Sequence, residues 1–311
     1  MKVMVTGASG FLGRYVVANL VRSGFSVVAV GRETPQSMDA VEFIPFDLLQ
    51  GDPHGLVSAA GATHLIHLAW YTEHGKYWSS PLNSEWVQAT ANLAQAFCQT
   101  GGQHIIAAGT CAEYDWSEGY CVETTSPLKP NSVYGNAKDT THRLLTGLSE
   151  TYSVPCAWAR IFFPFGAGEN RERLVPALID ALRGVRSPFG VNGARSRDFL
   201  HAFDVAEGFK ALLVARAHGA FNISSAQPVQ VRELVEMLAR QVHADPAPIL
   251  QLPGSRVNEA MLLVGDNTRL RSLGWKPQLS LFEGLLRTIQ EIDNAKIRLS
   301  ANGNHEKLST L

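Results

Sequence analysis

Tyr134 and Lys138 stand four residues apart in a helix-like run. Residues at i and i+4 share one helix face, so a phenol and an ammonium can both address one bound molecule. A phenol that ionises near pH ~10 is a poor acid–base group at neutral pH. A neighbouring positive charge favours the phenolate and lowers that value. The phenol could then give a proton to a carbonyl oxygen or take one from an alcohol. Thr110 ends the apolar run 104–108, and its hydroxyl is suited to hold the same oxygen in line. The expected catalytic set is Thr110, Tyr134 and Lys138. A Tyr and a Lys at this spacing also arise by chance on many helices, so the surrounding chain decides.

That chain opens with an apolar run into Thr6-Gly7-Ala8-Ser9-Gly10-Phe11-Leu12-Gly13-Arg14. Gly7 permits a turn that a side chain would block, Gly10 lets backbone approach a pyrophosphate, and Gly13 lets the helix sit close to a sheet. The helix start offers free N–H groups and a positive dipole end to phosphate. A lone glycine triplet is weak evidence, but this one lies between a strand and an amphipathic helix. It predicts a bound nicotinamide dinucleotide held by Gly7, Gly10, Phe11, Leu12, Gly13 and Arg14. An acid at the end of the second strand would favour NAD through the ribose hydroxyls. Gly31 stands there, followed by Arg32, and guanidinium groups at Arg32 and Arg14 suit a 2′-phosphate. The expected cofactor is NADPH, with NAD possible if Arg32 is a solvated loop residue and Glu33 binds the ribose. Asp47 and Leu48 could contact the adenine, or could cap a turn.

The elements that must position these groups follow from periodicity. Short apolar runs at 2–6, 26–30, 41–45, 64–68, 104–108 and 155–160 read as strands covered on both faces. Helical patterns fall at 12–23, 85–100 and 133–152. Such alternation implies right-handed crossovers and a parallel, doubly wound sheet. Segments 164–169 and 187–197 break the pattern, and helices at 204–215, 231–243 and 279–294 suggest a second, smaller lobe with a cleft between. The expected division is a dinucleotide-binding domain over 1–165, with some later segments returning to it. Residues 166–294 would form the substrate lobe, and 295–311 a frayed tail without an apolar face. The 311 residues carry a net charge of −1, which gives no electrostatic case for nucleic acid or an anionic membrane. No run reaches the ~18 apolar residues of a membrane span, and the strand-like start leaves no signal-peptide layout before it. The cysteines (Cys98, Cys111, Cys121 and Cys156) and the scattered histidines show no metal-ligand spacing, so no metal is expected and a cytoplasmic setting is.

Taken together, these residues resemble the extended short-chain dehydrogenase/reductase family, in its nucleotide-sugar epimerase, dehydratase and reductase branch. The resemblance spans about 1–290. It rests on Thr6–Gly13, His67-Leu68-Ala69, Gly109 to Tyr114, Tyr134 with Lys138, and Arg160 with Phe165-Gly166. It continues in Arg197-Asp198-Phe199-Leu200-His201 with Asp204-Val205-Ala206, and in Asp266, Leu273-Gly274-Trp275 and Pro277. It implies an α/β, Rossmann-type doubly wound parallel sheet with a smaller C-terminal substrate-binding lobe. It also extends the cofactor set to Leu68, Ala69, Phe162, Tyr134 and Lys138, and implies that Arg197 contacts a nucleotide diphosphate. Family dehydratases carry acids where Cys111 and Ala112 stand here, so loss of water is not expected. Glu113 is one place out of register. Trp86 and Phe163 stand where the family often has Asn.

On the substrate side, Arg256 could also meet a diphosphate or form a surface salt bridge. Trp70 opens an aromatic stretch, 70–78, suited to a sugar face or to lobe packing, while Cys111 and Tyr114 could line the site. The expected function is an NADPH-dependent 4-ketoreductase of a nucleotide-activated 4-keto-6-deoxy sugar. The alternative is a nucleotide-sugar 4-epimerase with tightly held NAD. A reductase of a non-sugar ketone and a non-catalytic dinucleotide sensor rank lower. The sequence does not fix the assembly state; the resemblance implies that a homodimer could form through helices like those at 85–100 and 133–152.

Overall fold

The computed structural model describes residues 1–33, 41–254 and 260–308, with side chains given to residue 295. Strands and helices alternate in its first half. In order they are β1 (Lys2–Thr6), α1 (Phe11–Arg22), β2 (Ser26–Gly31), β3 (Glu42–Pro45), α2 (Pro53–Ala60), β4 (His64–His67), α3 (Leu82–Gln99) and β5 (His104–Thr110). A 3-10 turn (Cys111–Glu113), β6 (Tyr120–Cys121), α4 (Val133–Tyr152) and β7 (Cys156–Ile161) follow. Then come β8 (Pro164–Phe165), α5 (Leu174–Leu182), β9 (Ser196–Arg197), β10 (Leu200–His201), α6 (Ala202–Val214) and β11 (Gly219–Ile223). The chain ends through β12 (Val229–Gln230), α7 (Val231–Val242), α8 (Ala247–Leu250), β13 (Leu262–Gly265), α9 (Thr268–Arg271) and α10 (Leu281–Leu308). The last helix thus runs on into the polar stretch for which the sequence pattern offered no apolar face.

Seven strands form one parallel sheet in the order β11-β7-β5-β4-β1-β2-β3. Successive side chains of a strand point to opposite faces, and the two faces have separate cores. Val3, Val5, Ala29, Ile66 and Ile106 belong to one, Met4, Val28, Leu65, Ile105 and Trp158 to the other. This is why the strands read as continuous apolar runs. Burying each Val, Leu or Ile contributes roughly 1.5–3 kcal/mol before the entropy cost of ordering it.

The six expected strands are all present. The seventh, β11, has the short and polar-interrupted sequence Gly-Ala-Phe-Asn-Ile. Its pairing with β7 makes it a strand, not its own pattern. The helix expected in the second lobe at 204–215 belongs to the sheet instead. Val205, Phe209, Leu212 and Leu213 of α6 join the core cluster that holds Val16, Val17 and Leu20 of α1. Periodicity reports that a helix has an apolar face, but not which neighbour covers it. A third core, built from α5, α7, α8 and α10, gathers Val175, Leu178, Leu234, Leu238, Ile249, Leu285 and Ile289.

Two aspartates of the 197–206 motif tie the parts together. Asp204 accepts backbone N–H bonds from Gln278 (2.8 Å) and Leu279 (3.2 Å). Asp198, fully buried, accepts from the N–H groups of Ser225 (2.6 Å), Ala226 (3.0 Å) and Gly265 (3.1 Å), and burial raises its carboxyl to about 6.

Candidate active site

The sheet order reverses between β1 and β4, and in open parallel sheets the crevice beyond the carboxyl ends at that point is where ligands bind. The glycine turn lies there. Gly7 has φ +68°, and a Cβ on it would stand 2.7 Å from the Ala69 nitrogen just beyond β4, so turn and strand end touch. A Cβ at Gly13 would meet the Gly7 oxygen at 2.1 Å, which seats α1 against the turn. At Gly10 a Cβ would come near one atom, the Gly7 oxygen at 3.1 Å. It would fill open space at the N-cap of α1, where no side chain caps the helix. First-turn N–H groups have no acceptor within their own helix, so the cradle fits a pyrophosphate.

Arg14 and Arg32 are exposed at this edge, and Gly168 of the loop after β8 comes within touching distance of Arg14. Phe11, Leu12, Leu68 and Ala69 are half-buried around the turn, and Leu12 and Leu68 pack on the core beneath it. Leu48 packs on the opposite core. Asp47 caps its own turn, accepting from the Leu49 N–H at 3.0 Å. Phe162 is fully buried against Tyr114 and the Cys121–Leu263 cluster, so its ring does not line the cradle.

Thr110, Tyr134 and Lys138 come together beside this crevice. Ser132 caps α4 by accepting from the Gly135 N–H at 3.0 Å. A Cβ on Gly135 would stand 2.5 Å from the Ala112 oxygen, so only glycine lets the start of α4 lie against the 3-10 turn that follows Thr110. That contact sets Thr110 beside Tyr134, where its hydroxyl favours the ionised phenol. The Tyr134 N–H is taken by the Trp78 carbonyl at 3.1 Å.

One expectation needs correcting. Spacing alone suggested that Lys138 lowers the phenol. Burial, reinforced by Tyr77, instead raises Tyr134 well above its ordinary value, against the pull of Thr110 and of Arg173. The Lys138 ammonium is engaged elsewhere. Its Nζ donates to the Ala108 carbonyl at 2.9 Å and sits 3.7 Å from the centroid of the Trp70 ring. Burial lowers Lys138 to about 7. In this state Tyr134 is protonated at neutral pH, poised to donate.

The substrate-side residues scatter. Tyr114 is a core residue: its hydroxyl donates to Asn222 at 2.8 Å, and the Arg160 guanidinium stands 4.8 Å from its ring centroid. Cys111 is buried in the same apolar cluster, and burial pushes its thiol up, so neither presents itself to the cleft. Arg197 donates to the carbonyls of Ser196 and Ala260, both at 2.9 Å. Arg256 lies outside the described residues. Trp70 gives one face to Lys138, and its Nε1 donates to Asn83 at 2.9 Å.

The rest of stretch 70–78 does reach the reacting group. Tyr77 and Trp78 set their rings edge-on to Tyr134, with centroids 4.9 and 5.6 Å away. Trp116 stands beyond Trp78 at 6.1 Å. Pattern reading missed two groups. Arg173, 5.3 Å from the Tyr77 ring centroid, is a charge that acts on Tyr134, yet it sits in an unremarkable polar segment. Glu113 is fully buried. It accepts from Arg160 Nε (2.7 Å), from Trp158 Nε1 (2.8 Å) and, through its other oxygen, from the Thr110 N–H (2.8 Å). It braces Thr110 from behind. The capping-box spacing, Thr110 to Glu113, was the available signal.

Among the described residues, no cluster of His, Cys, Asp or Glu could hold a metal ion, and no helix is long and apolar enough to cross a membrane. A nicotinamide dinucleotide in the cradle would supply the acceptor and donor of hydride, with the proton work left to Tyr134.

Fold and site together define a dinucleotide-dependent α/β enzyme. A profile of the NAD dependent epimerase/dehydratase family matches residues 3–224, and the chain belongs to that family. It is an NAD(P)-dependent enzyme of the extended short-chain dehydrogenase/reductase type. It is 27% identical over 305 residues to a UDP-glucose 4-epimerase of Corynebacterium glutamicum, covering 89% of this chain and 91% of that one. It is 25% identical over 271 residues to a dTDP-6-deoxy-L-talose 4-dehydrogenase (NAD(+)) of Aggregatibacter actinomycetemcomitans, covering 85% and 99%. Among solved structures it is similar to MoeE5 in complex with UDP-glucuronic acid and NAD. There the TM-score is 0.83 at 27% identity, covering 95% of this chain and 100% of that one.

Proposed function

We propose that the protein is a nucleotide-sugar 4-epimerase, with Tyr134 moving the proton of the sugar 4-hydroxyl. The observation that carries this is the placement of Thr110 and Tyr134 together, with Lys138 buried one turn along α4, beside the glycine cradle. Thr110 holds the sugar oxygen in line and Lys138 supplies positive charge one turn along α4. The UDP-glucose 4-epimerase relatives support the reading. So do Cys111 and Ala112, which leave no acid and base for eliminating water. An epimerase returns its cofactor unchanged. Incubation with UDP-glucose and UDP-galactose should therefore interconvert the two with no net change at 340 nm. One cofactor consumed per product would defeat this reading in favour of the next.

The second reading is a 4-ketoreductase of a 4-keto-6-deoxy sugar that uses NADPH. Gly31 and Arg32 favour it, since no carboxylate ends β2 and both Arg32 and Arg14 are exposed. Under it, Arg32→Ala weakens NADPH by roughly 10–100-fold, the worth of a charge-assisted phosphate contact, and NADH by less than threefold. Fluorescence titration of each cofactor measures this, and equal weakening removes the 2′-phosphate assignment. Under either reading two copies pair through α3 and α4, where Val133 and Leu144 are exposed, and sedimentation gives the assembly state.

A further inference from the structure

We propose that Trp70 is a positioning residue for Lys138: its indole face, locked in place by Asn83, holds the ammonium against the Ala108 carbonyl and keeps it charged in a dry site. The proposal rests on the reading of Tyr134 and Lys138 as the working pair.

Four observations build the device. Trp70 follows directly on β4, and its ring centroid lies 3.7 Å from Lys138 Nζ, close contact for a cation on an aromatic face. Lys138 is 4% exposed, and Nζ makes its hydrogen bond to Ala108 O at 2.9 Å. An ammonium has three donors, and the indole face takes the place of the water that burial removed. The ring is not free to turn. Its Nε1 is fixed on Asn83, which is itself fully buried and donates to the carbonyls of Tyr77 (2.7 Å) and Ser80 (2.9 Å). Trp86 stands beside it, with ring centroids 6.1 Å apart. Asn83, Trp70 and Lys138 thus form a chain from the aromatic loop to the helix that carries Tyr134.

The groups facing Lys138 are few. His67 on β4 is buried, and burial together with the charge of Lys138 lowers it to about 3, so it is neutral and sets no second positive charge beside Lys138. Glu113, in the turn after β5, raises Lys138. Tyr134, on the same helix, is protonated. Burial brings Lys138 to about 7, where a modest further loss of support would discharge it at neutral pH. The ring quadrupole favours the charged form, so Trp70 acts against that loss. A residue that stacked on substrate alone would leave the titration of Lys138 untouched.

The test uses the full chain with ¹³Cε-labelled lysine. The Lys138 resonance is assigned by its absence in Lys138→Met, and its pH midpoint is followed by NMR. In Trp70→Leu the midpoint should fall by about one unit, and Trp70→Phe, which keeps an aromatic face, should recover most of it. The alkaline limb of the turnover profile should move in parallel. If Trp70→Leu does not fold, Trp70→Met carries the same expectation. A midpoint unchanged within about 0.3 unit in a folded non-aromatic variant overturns the proposal. The titration needs neither turnover nor substrate, so it stands apart from the enzyme reading, whose own failure would be an active Tyr134→Phe variant.

Discussion

Tyr134→Phe is expected to lower turnover by about 10²–10⁴-fold, the usual worth of a positioned acid–base group, while cofactor affinity stays within about threefold. The substitution removes one oxygen and little else. The ring still meets Tyr77 and Trp78 edge-on, and the Tyr134 N–H still binds the Trp78 carbonyl. The glycine cradle and Lys138 are untouched. A loss of turnover therefore belongs to the proton and not to the fold. The raised phenol sharpens this: burial keeps Tyr134 protonated at neutral pH, so no other form of the side chain stands in for the missing O–H. Single-turnover rates beside a cofactor titration measure both halves. Turnover within about tenfold of the parent would end the acid–base assignment.

The cradle and the Tyr–Lys pair were legible because their signals are local. Gly7 shows its left-handed backbone, and Tyr134 with Lys138 shows one helix face, without knowledge of any distant residue. Six strands were legible because burial on both sides leaves unbroken apolar runs. What the sequence hid depends on contacts between distant segments. Tyr114 and Cys111 lie beside Thr110 in the chain, yet Asn222 and Leu263, far along the sequence, draw them into the core. The ammonium of Lys138 is claimed by Trp70, and nothing in a four-residue spacing reports that. Nor does a helical period say that α6 returns to cover α1. The electrostatic error has the same origin. Counting nearby charges put Lys138 in control of Tyr134, whereas burial, which only the fold reveals, is the larger effect on both groups.

Glu113→Gln is expected to cost about 3–5 kcal/mol of stability, because it leaves the Arg160 charge buried without its partner. The two side chains are 0% and 1% exposed and 2.7 Å apart. Calorimetry should show a melting temperature lower by several degrees. Removing both charges tests whether the loss comes from the orphaned cation. Glu113→Gln with Arg160→Met should recover part of the stability, since replacing a buried pair by apolar bulk is often neutral. Turnover should not recover with it. Glu113 also accepts from the Thr110 N–H, and a glutamine in its place binds that N–H more weakly. The turn that presents the Thr110 hydroxyl to Tyr134 therefore stays loosened even where the fold is restored. A double variant that regained full turnover along with stability would make Glu113 a prop for Arg160 alone. A single variant as stable as the parent within about 1 kcal/mol would show that the ion pair is not what holds this corner of the sheet.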